Sequence, residues 1–288
     1  MLYNLQRYCI HDGQGIRDTV FLKGCQMRCP WCANPESQLG GRQIAFNKNK
    51  CIGCGACVKA CPKGKAAPED IPAGCDLCGK CEYVCPREAI QIYGYDLTPD
   101  ELVAEVMKDA PYFRKSDGGV TISGGEPTLQ MDYIAEVFSK LHDLGIHTAI
   151  ESHGHFSDAE RERLIPLVDQ FLIDLKHMDS AKQEEYTGFG NEQILKNMEA
   201  LRDHGLVIRI PLVPGFNDDD ENLTRSAAFA KKLDVPVHLL KFHNMASSKY
   251  ESLGREYAYK NIKTQPQEEL ERMLKIFTDM GVEAQLGG

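Results

Sequence analysis

The chain has 288 residues, 42% hydrophobic and 26% charged, enough apolar material for a full core, which excludes disordered and fibrous classes. Lysine and arginine total 33 against 42 aspartates and glutamates, and the net charge of −9 disfavours the phosphate-neutralising surface that nucleic acid or anionic lipid requires. No run of ~18 uncharged apolar residues occurs and no basic flank leads into an apolar start, so neither a membrane span nor a secretory signal is expected, and the cytoplasm is the expected location.

In chain order, residues 17–23 read as the first strand. The segment from 33 to 97 is too long for a loop and carries most of the cysteines, so it reads as an insertion. Thr98 and Glu101 form a capping-box pattern around Pro99, and Leu102, Val103, Val106 and Met107 then lie on one face of a helix of about three turns. After an extended segment at 118–123, a helix carries Ile134, Val137, Phe138, Leu141 and Leu144 and stops at Gly145. A strand at 146–151 follows, then a second capping box at Ser157 and Glu160, then a nearly continuous apolar strand at 170–176 of the kind buried on both faces of a parallel sheet. Residues 191–204 are helical up to Gly205, 206–213 extended, 220–233 helical, 235–242 extended, and a last helix covers about 266–280.

Six strands alternating with helices make an α/β protein with one parallel sheet. Six units are too few for a closed eightfold barrel, so the expected architecture is an open, partial (β/α)6 barrel formed by residues 1–40 and 94–288, interrupted by an inserted domain at 41–93.

All twelve cysteines lie in the first third of the chain. Such crowding in a reduced compartment indicates metal ligation rather than disulfides. The insert repeats C-x2-C-x2-C-x3-C-P, as Cys51, Cys54, Cys57, Cys61 and again 24 residues on as Cys75, Cys78, Cys81, Cys85. That is the run of a two-cluster ferredoxin, in which the fourth cysteine of each half serves the other cluster. The expected [4Fe-4S] sites are therefore Cys51, Cys54, Cys57 with Cys85, and Cys75, Cys78, Cys81 with Cys61; paired structural zinc sites are the alternative. Cys25, Cys29 and Cys32 offer only three thiolates. A [4Fe-4S] cluster held by three ligands keeps one iron open for substrate, and this loop follows the first strand at the mouth where barrel chemistry is done; a zinc site completed by His11 is the alternative. Cys9 reads as a buried free thiol.

The C-x3-C-x2-C run with Trp31 before its last cysteine, together with Ser123-Gly124-Gly125-Glu126, resembles the radical S-adenosylmethionine superfamily. More narrowly, residues 12–37 resemble the activating enzymes of glycyl radical enzymes, of which pyruvate formate-lyase activase is the best-known example; the insert resembles a subset of them. The resemblance implies three [4Fe-4S] clusters, S-adenosylmethionine, an anaerobic setting, a glycyl radical enzyme as protein substrate and a flavodoxin or ferredoxin as electron donor. It implies reductive cleavage of S-adenosylmethionine to methionine and a 5′-deoxyadenosyl radical that takes hydrogen from a glycine of the partner.

By the same resemblance, Cys25, Cys29 and Cys32 hold the catalytic cluster, Gly124, Gly125 and Glu126 hold the methionyl amine, and Trp31 lies against adenine. Asp174, Leu175 and Lys176 match the family's Asp-Leu-Lys motif, with Lys176 on the carboxylate and Asp174 on the ribose or a cation. His243 contacts the nucleoside, and Arg209 takes a polar role near the methionyl group. Two departures stand out. Gln14 occupies the place of a proline common in the relatives' Asp-Gly-Pro-Gly-Ile-Arg motif, with little effect expected. Glu151-Ser152 stands where pyruvate formate-lyase activase has Asp-Thr, at a position associated there with a monovalent cation, which leaves cation binding near Glu151 and Asp174 open. Two further function classes share parts of the pattern: a radical enzyme acting on a small molecule or another peptide, and a noncatalytic iron–sulfur electron carrier.

Overall fold

The computed structural model of the protein describes residues 1–287. The chain opens with strands β1 (Leu2–Cys9) and β2 (Arg17–Leu22), which pair antiparallel. The cysteine-rich segment contributes β3 (Gln43–Phe46), the short helices α1 (Ala56–Ala60) and α2 (Lys80–Tyr83), and β4 (Ile90–Tyr93). Then come α3 (Pro99–Val106), α4 (Ala110–Ser116), β5 (Gly119–Gly124), α5 (Met131–Asp143), β6 (His147–Ser152), α6 (Asp158–Leu164) and β7 (Gln170–Asp174). The remainder is α7 (Ser180–Thr187), α8 (Glu192–Leu201), β8 (Leu206–Leu212), α9 (Asp220–Leu233), β9 (Val237–Lys241), α10 (Ser247–Ser252), α11 (Gln267–Asp279) and β10 (Ala284–Leu286).

One sheet runs β1-β2-β5-β6-β7-β8-β9-β10. Its six central strands, β2 and β5 to β9, are the six expected ones, all parallel. They are buried on both faces; all six residues of β2 are buried. β1 and β10 extend the edges and were not expected. β1 mixes polar residues without a clean alternation, and its pairing with β2 breaks register twice. β10 has three residues, below what a pattern can reveal. No helix among the described residues is long and apolar enough to cross a membrane.

Local signals explain most boundaries. Thr98 Oγ1 accepts from Glu101 N at 3.2 Å while Glu101 Oε2 accepts from Thr98 N at 2.8 Å, and the Ser157–Glu160 pair repeats this reciprocal cap. α3 makes two turns, not three, and passes through a 3-10 turn at Met107–Asp109 into α4, whose Pro111 terminates the first hydrogen-bond ladder. In α5, Ile134, Val137, Phe138 and Leu141 form the buried face, but Leu144 is the exposed C-cap, because Gly145 at φ +65° turns the chain there. Gly205 is confined more tightly: a Cβ on it would lie 2.2 Å from the Asp169 carbonyl oxygen.

Gln14 also has a consequence. Its backbone N–H donates to Gln170 Oε1 at 3.1 Å, a bond that proline cannot make. Cys9 is half-buried rather than buried, since it ends an edge strand at an irregular register.

Within the cysteine-rich segment, β3 and β4 pair antiparallel from Gln43↔Tyr93 to Phe46↔Ile90, which brings the two ends of the segment together. Its buried apolar residues are Ala45, Cys57, Ile71, Cys81, Ala89 and Ile90, of which Cys57, Ile71, Cys81 and Ile90 form a small cluster beside the continuous core that fills the sheet and its helices.

Candidate active site

A cavity of about 330 Å³ opens at the carboxyl ends of the central strands. The loop after β2 is folded back on itself there: Gly24 N donates to Ser37 O at 2.6 Å and Cys25 N to Gln38 O at 3.2 Å, while Cys32 N closes a turn onto Cys29 O at 3.1 Å. This brings Cys25, Cys29 and Cys32 together on one wall of the cavity. Burial pushes the Cys25 thiol up to about 11 and Cys29 to about 12, opposed in both cases by the charge of Lys176.

The opposite wall comes from the heads of β5 to β9. Ser123, Gly124, Gly125, Glu151, Asp174, Lys176, Arg209 and His243 all line the cavity, as does Trp31. Lys176 Nζ lies 2.5 Å from Asp174 Oδ2. Burial works against its charge, but the Asp174 carboxylate, joined by the Cys29 and Cys25 sulfurs once ionised, outweighs burial and holds the ammonium above its usual range. Ser123 Oγ donates to Glu151 Oε2 at 2.5 Å, and the Arg209 guanidinium pairs with Glu151 Oε1. Arg209 lies within β8 rather than at its end, yet its Cα is in register with Asp174, the last residue of β7, so it reaches the same level as the other wall residues.

Two expected residues stand apart from the cavity. Leu175 is buried in the main core, because its side chain alternates away from the face that Asp174 and Lys176 share. Glu126 is fully buried and accepts hydrogen bonds from Thr128 N and Oγ1, Ser152 Oγ and His153 N. Burial raises its carboxyl, and these donors offset the shift. It ties the head of β5 to that of β6 instead of reaching the ligand space.

The glycines serve packing as much as ligand approach. A Cβ on Gly124 would lie 2.2 Å from Leu22 O, and one on Gly125 would lie 2.1 Å from Gly24 O. Side chains there would push β5 off the cysteine loop, whose contact is sealed by Gly125 N to Leu22 O at 2.9 Å and Glu126 N to Gly24 O at 2.7 Å.

Side chains behind the wall hold the site in shape. Asn217 is fully buried: its amide nitrogen donates to Lys176 O and Pro211 O, and its Oδ1 accepts from Val213 N. It locks the end of β7 to that of β8 and so positions Lys176. Trp31 packs on Phe216 at a centroid distance of 4.4 Å within an aromatic wall that includes Tyr186 and Tyr259. His153 lines the cavity and is held neutral, its pKa lowered to about 3 by burial first and the charge of Lys176 second. Its Nδ1 accepts from His155 N at 3.0 Å, which leaves the ring proton on Nε2, 3.2 Å from Glu126 Oε2 without the alignment of a hydrogen bond. His153, directly after the strand that ends at Ser152, is the residue that sequence reading passed over.

In the cysteine-rich segment, Cys51, Cys54, Cys57 and Cys85 line a second, small cavity. Cys81 lies within electrostatic reach of Cys75 and Cys61, and Cys78 is exposed. Backbone amides point at several sulfurs: Gly53 N to Cys51 at 3.4 Å, Leu77 N to Cys75 at 3.3 Å and Ala89 N to Cys85 at 3.2 Å. No group of three or more His, Cys, Asp or Glu side chains among the described residues converges as a site for a metal ion. In a polynuclear cluster the thiolates bond different irons, so such donors need not meet at one point.

Residues 19–227 match the model of the Radical SAM superfamily. The chain is 38% identical over 299 residues to the trans-4-hydroxy-L-proline dehydratase activating enzyme of Clostridioides difficile, covering 100% of this chain and 99% of that protein. It is 36% identical over 301 residues to the indoleacetate decarboxylase activating enzyme of Tractidigestivibacter scatoligenes, covering 98% and 95%. Among solved structures, a domain of a pyruvate-formate lyase-activating enzyme from Bacteroides vulgatus superposes with a TM-score of 0.50 at 29% identity, over 59% of this chain and 99% of that domain. The chain belongs to the radical SAM superfamily and, within it, to the activating enzymes of glycyl radical enzymes. Enzymes of this family work with a [4Fe-4S] cluster and S-adenosylmethionine. The donor set of the cavity fits that group: three half-buried thiols whose ionised form needs a metal to be favourable, beside a charged lysine and a Gly-Gly turn.

Proposed function

We propose that the cavity holds a [4Fe-4S] cluster on Cys25, Cys29 and Cys32 and S-adenosylmethionine on the facing wall, for hydrogen abstraction from a glycine of a partner glycyl radical enzyme. The observation that carries the reading is the convergence of three thiols with Gly124, Gly125, Asp174, Lys176 and His243 on one cavity, although they come from four separate parts of the chain. Bound there, cluster and S-adenosylmethionine supply reductive cleavage to methionine and a 5′-deoxyadenosyl radical, which takes hydrogen from the partner's glycine Cα. The chain's residues bind and orient. Lys176, held charged by Asp174, receives the methionyl carboxylate; the Gly124-Gly125 backbone receives the amine; Trp31 and His243 flank the nucleoside. The aromatic wall excludes water from the reacting centre.

Residues 1–40 and 94–288 form the catalytic barrel in this reading, and 41–93 form a ferredoxin-like insert with two further [4Fe-4S] clusters, on Cys51, Cys54, Cys57 with Cys85 and on Cys75, Cys78, Cys81 with Cys61. The setting is the anaerobic cytoplasm, without nucleic-acid or membrane partners, and the electron donor is a flavodoxin or ferredoxin. Residues 41–93 hold eight lysines and arginines against five acids in a chain of net charge −9, which offsets part of the negative charge that two thiolate-bound clusters would bring to the segment.

The test is spectroscopic. Added to the reduced, anaerobically reconstituted enzyme, S-adenosylmethionine should change the electron paramagnetic resonance signal of one cluster, and mixing with a partner should produce a glycyl radical doublet. A signal indifferent to S-adenosylmethionine refutes the proposal. Replacing Cys54 and Cys78 by alanine should lower activation by a protein donor more than activation by dithionite; equal loss under both argues against a relay.

A further inference from the structure

The cavity wall contains two carboxylates, and the structure supplies each with a cation from the chain itself. Asp174 is paired with Lys176 at 2.5 Å. Glu151 is paired with Arg209, and its second oxygen accepts from Ser123 Oγ at 2.5 Å, so both carboxylate oxygens are engaged. The Glu151–Arg209 pair is largely shielded from solvent, its side chains 17% and 15% exposed. Arg209 starts in register with Asp174 on β8, yet its guanidinium passes over β7 to reach Glu151 on β6. Glutamate permits this meeting, since its carboxylate extends a methylene beyond that of aspartate.

We infer that Arg209 is a built-in counter-cation for Glu151 and replaces an inorganic monovalent cation at the head of β6. A hard cation there would need the oxygens of Glu151, Asp174 and neighbouring polar groups. It would have to displace a guanidinium that carries its charge at every working pH, or sit against it and against Lys176, where like charges in a shielded site repel strongly. Arg209 therefore acts as a positioning residue. It fixes Glu151, and Glu151 fixes the Ser123 hydroxyl at the start of the Gly-Gly turn. Only the ligand-binding arm of the test rests on the reading of the cavity as the S-adenosylmethionine site.

The test compares the cluster-loaded enzyme in potassium chloride and in N-methyl-D-glucamine chloride at equal ionic strength, reading the thermal unfolding midpoint and S-adenosylmethionine binding. The wild type should give the same values in both salts. Arg209→Gln should lose roughly tenfold in affinity and about 2–4 °C in midpoint in N-methyl-D-glucamine, with most of both losses recovered in potassium. The double variant Arg209→Gln/Glu151→Gln, which removes both charges, should be insensitive to potassium. A wild type that gains affinity or stability from potassium overturns the inference, as does an Arg209→Gln deficit that is equal in the two salts. Failure of the site reading appears separately, as absence of S-adenosylmethionine binding in either salt, and the melting comparison then decides the cation question alone.

Discussion

Cys25 and Cys29 at the barrel mouth are thiols driven up to about 11 and 12 by burial, whereas Cys54 and Cys78 in the cysteine-rich segment stand exposed, and Cys85 is held below its usual value despite some burial by the amides of Arg87, Ala89 and neighbours. The same side chain thus occupies two electrostatic settings. At the mouth, burial makes ionised sulfur unfavourable without a metal, opposed by the Met27 amide and then Lys176 at Cys25 and by Lys176 at Cys29. In the segment the settings are mixed: burial pushes Cys81 up to about 11 and raises Cys57, while backbone amides hold Cys85 down and Cys54 and Cys78 face solvent. The packing differs as well. The mouth sits on a continuous core that includes Phe138, Phe171 and Phe277, while the segment's cluster is Cys57, Ile71, Cys81 and Ile90. A core that small does not hold some fifty residues of chain without further cross-links, which the iron–sulfur clusters proposed for this segment would supply.

The sharpest way to break this comparison is to remove one thiol from each setting. Cys29→Ala should abolish 5′-deoxyadenosine formation, a loss of about a thousandfold or more, while the segment's clusters remain visible by absorption. Cys54→Ala should leave dithionite-driven cleavage largely intact. Comparable loss in both variants would show that the two settings are not functionally distinct.

Removal of iron by a chelator comes next. Limited proteolysis of the stripped protein should cut first within residues 41–93 and leave the barrel as a resistant core; even cutting throughout would mean that the barrel too depends on metal. At the level of packing, Phe138→Ala should cost about 3–5 kcal/mol of global stability, read from denaturant midpoints. Ile71→Ala should leave the barrel transition in place and loosen only the segment, visible as faster amide exchange there.

The smallest effect is one of pH. His153 is buried and neutral with its pKa lowered to about 3, so between there and its unfolded value near 6.5 the unfolded state binds the extra proton. Stability from this group is complete above about 6.5 and falls as pH decreases, by roughly 2 kcal/mol between pH 6.5 and 5. His153→Gln should flatten that slope. Residues 41–93 contain no histidine, and amide protection factors within them, corrected for the intrinsic pH dependence of exchange, should be unchanged over the same range.

Sequence reading located the six central strands because residues such as Val20, Ile122, Ile150 and Ile173 form apolar runs that only a doubly covered sheet can bury. It located the helix starts at Thr98 and Ser157 because their caps are strictly local, and the cysteine spacing because ligand motifs are local too. It missed β1, whose polar face gave no period, and Asn217, whose importance lies in three bonds to segments distant in the chain or across a turn. It placed Glu126 and Leu175 in the ligand space by motif, while packing turned both inward.

The amino-acid order by itself determined the alternation of strands and helices, the repeated thiol spacing and the kinship to activating enzymes, since each depends on residues near one another in the chain. Tertiary structure alone decided which charges meet. Arg209 could have faced Asp174, its neighbour in register, but reaches Glu151 two strands away, while Lys176 takes Asp174. Such pairings depend on strand register, side-chain length and the exclusion of water from a shared cavity, and none of these is written in spacing along the chain.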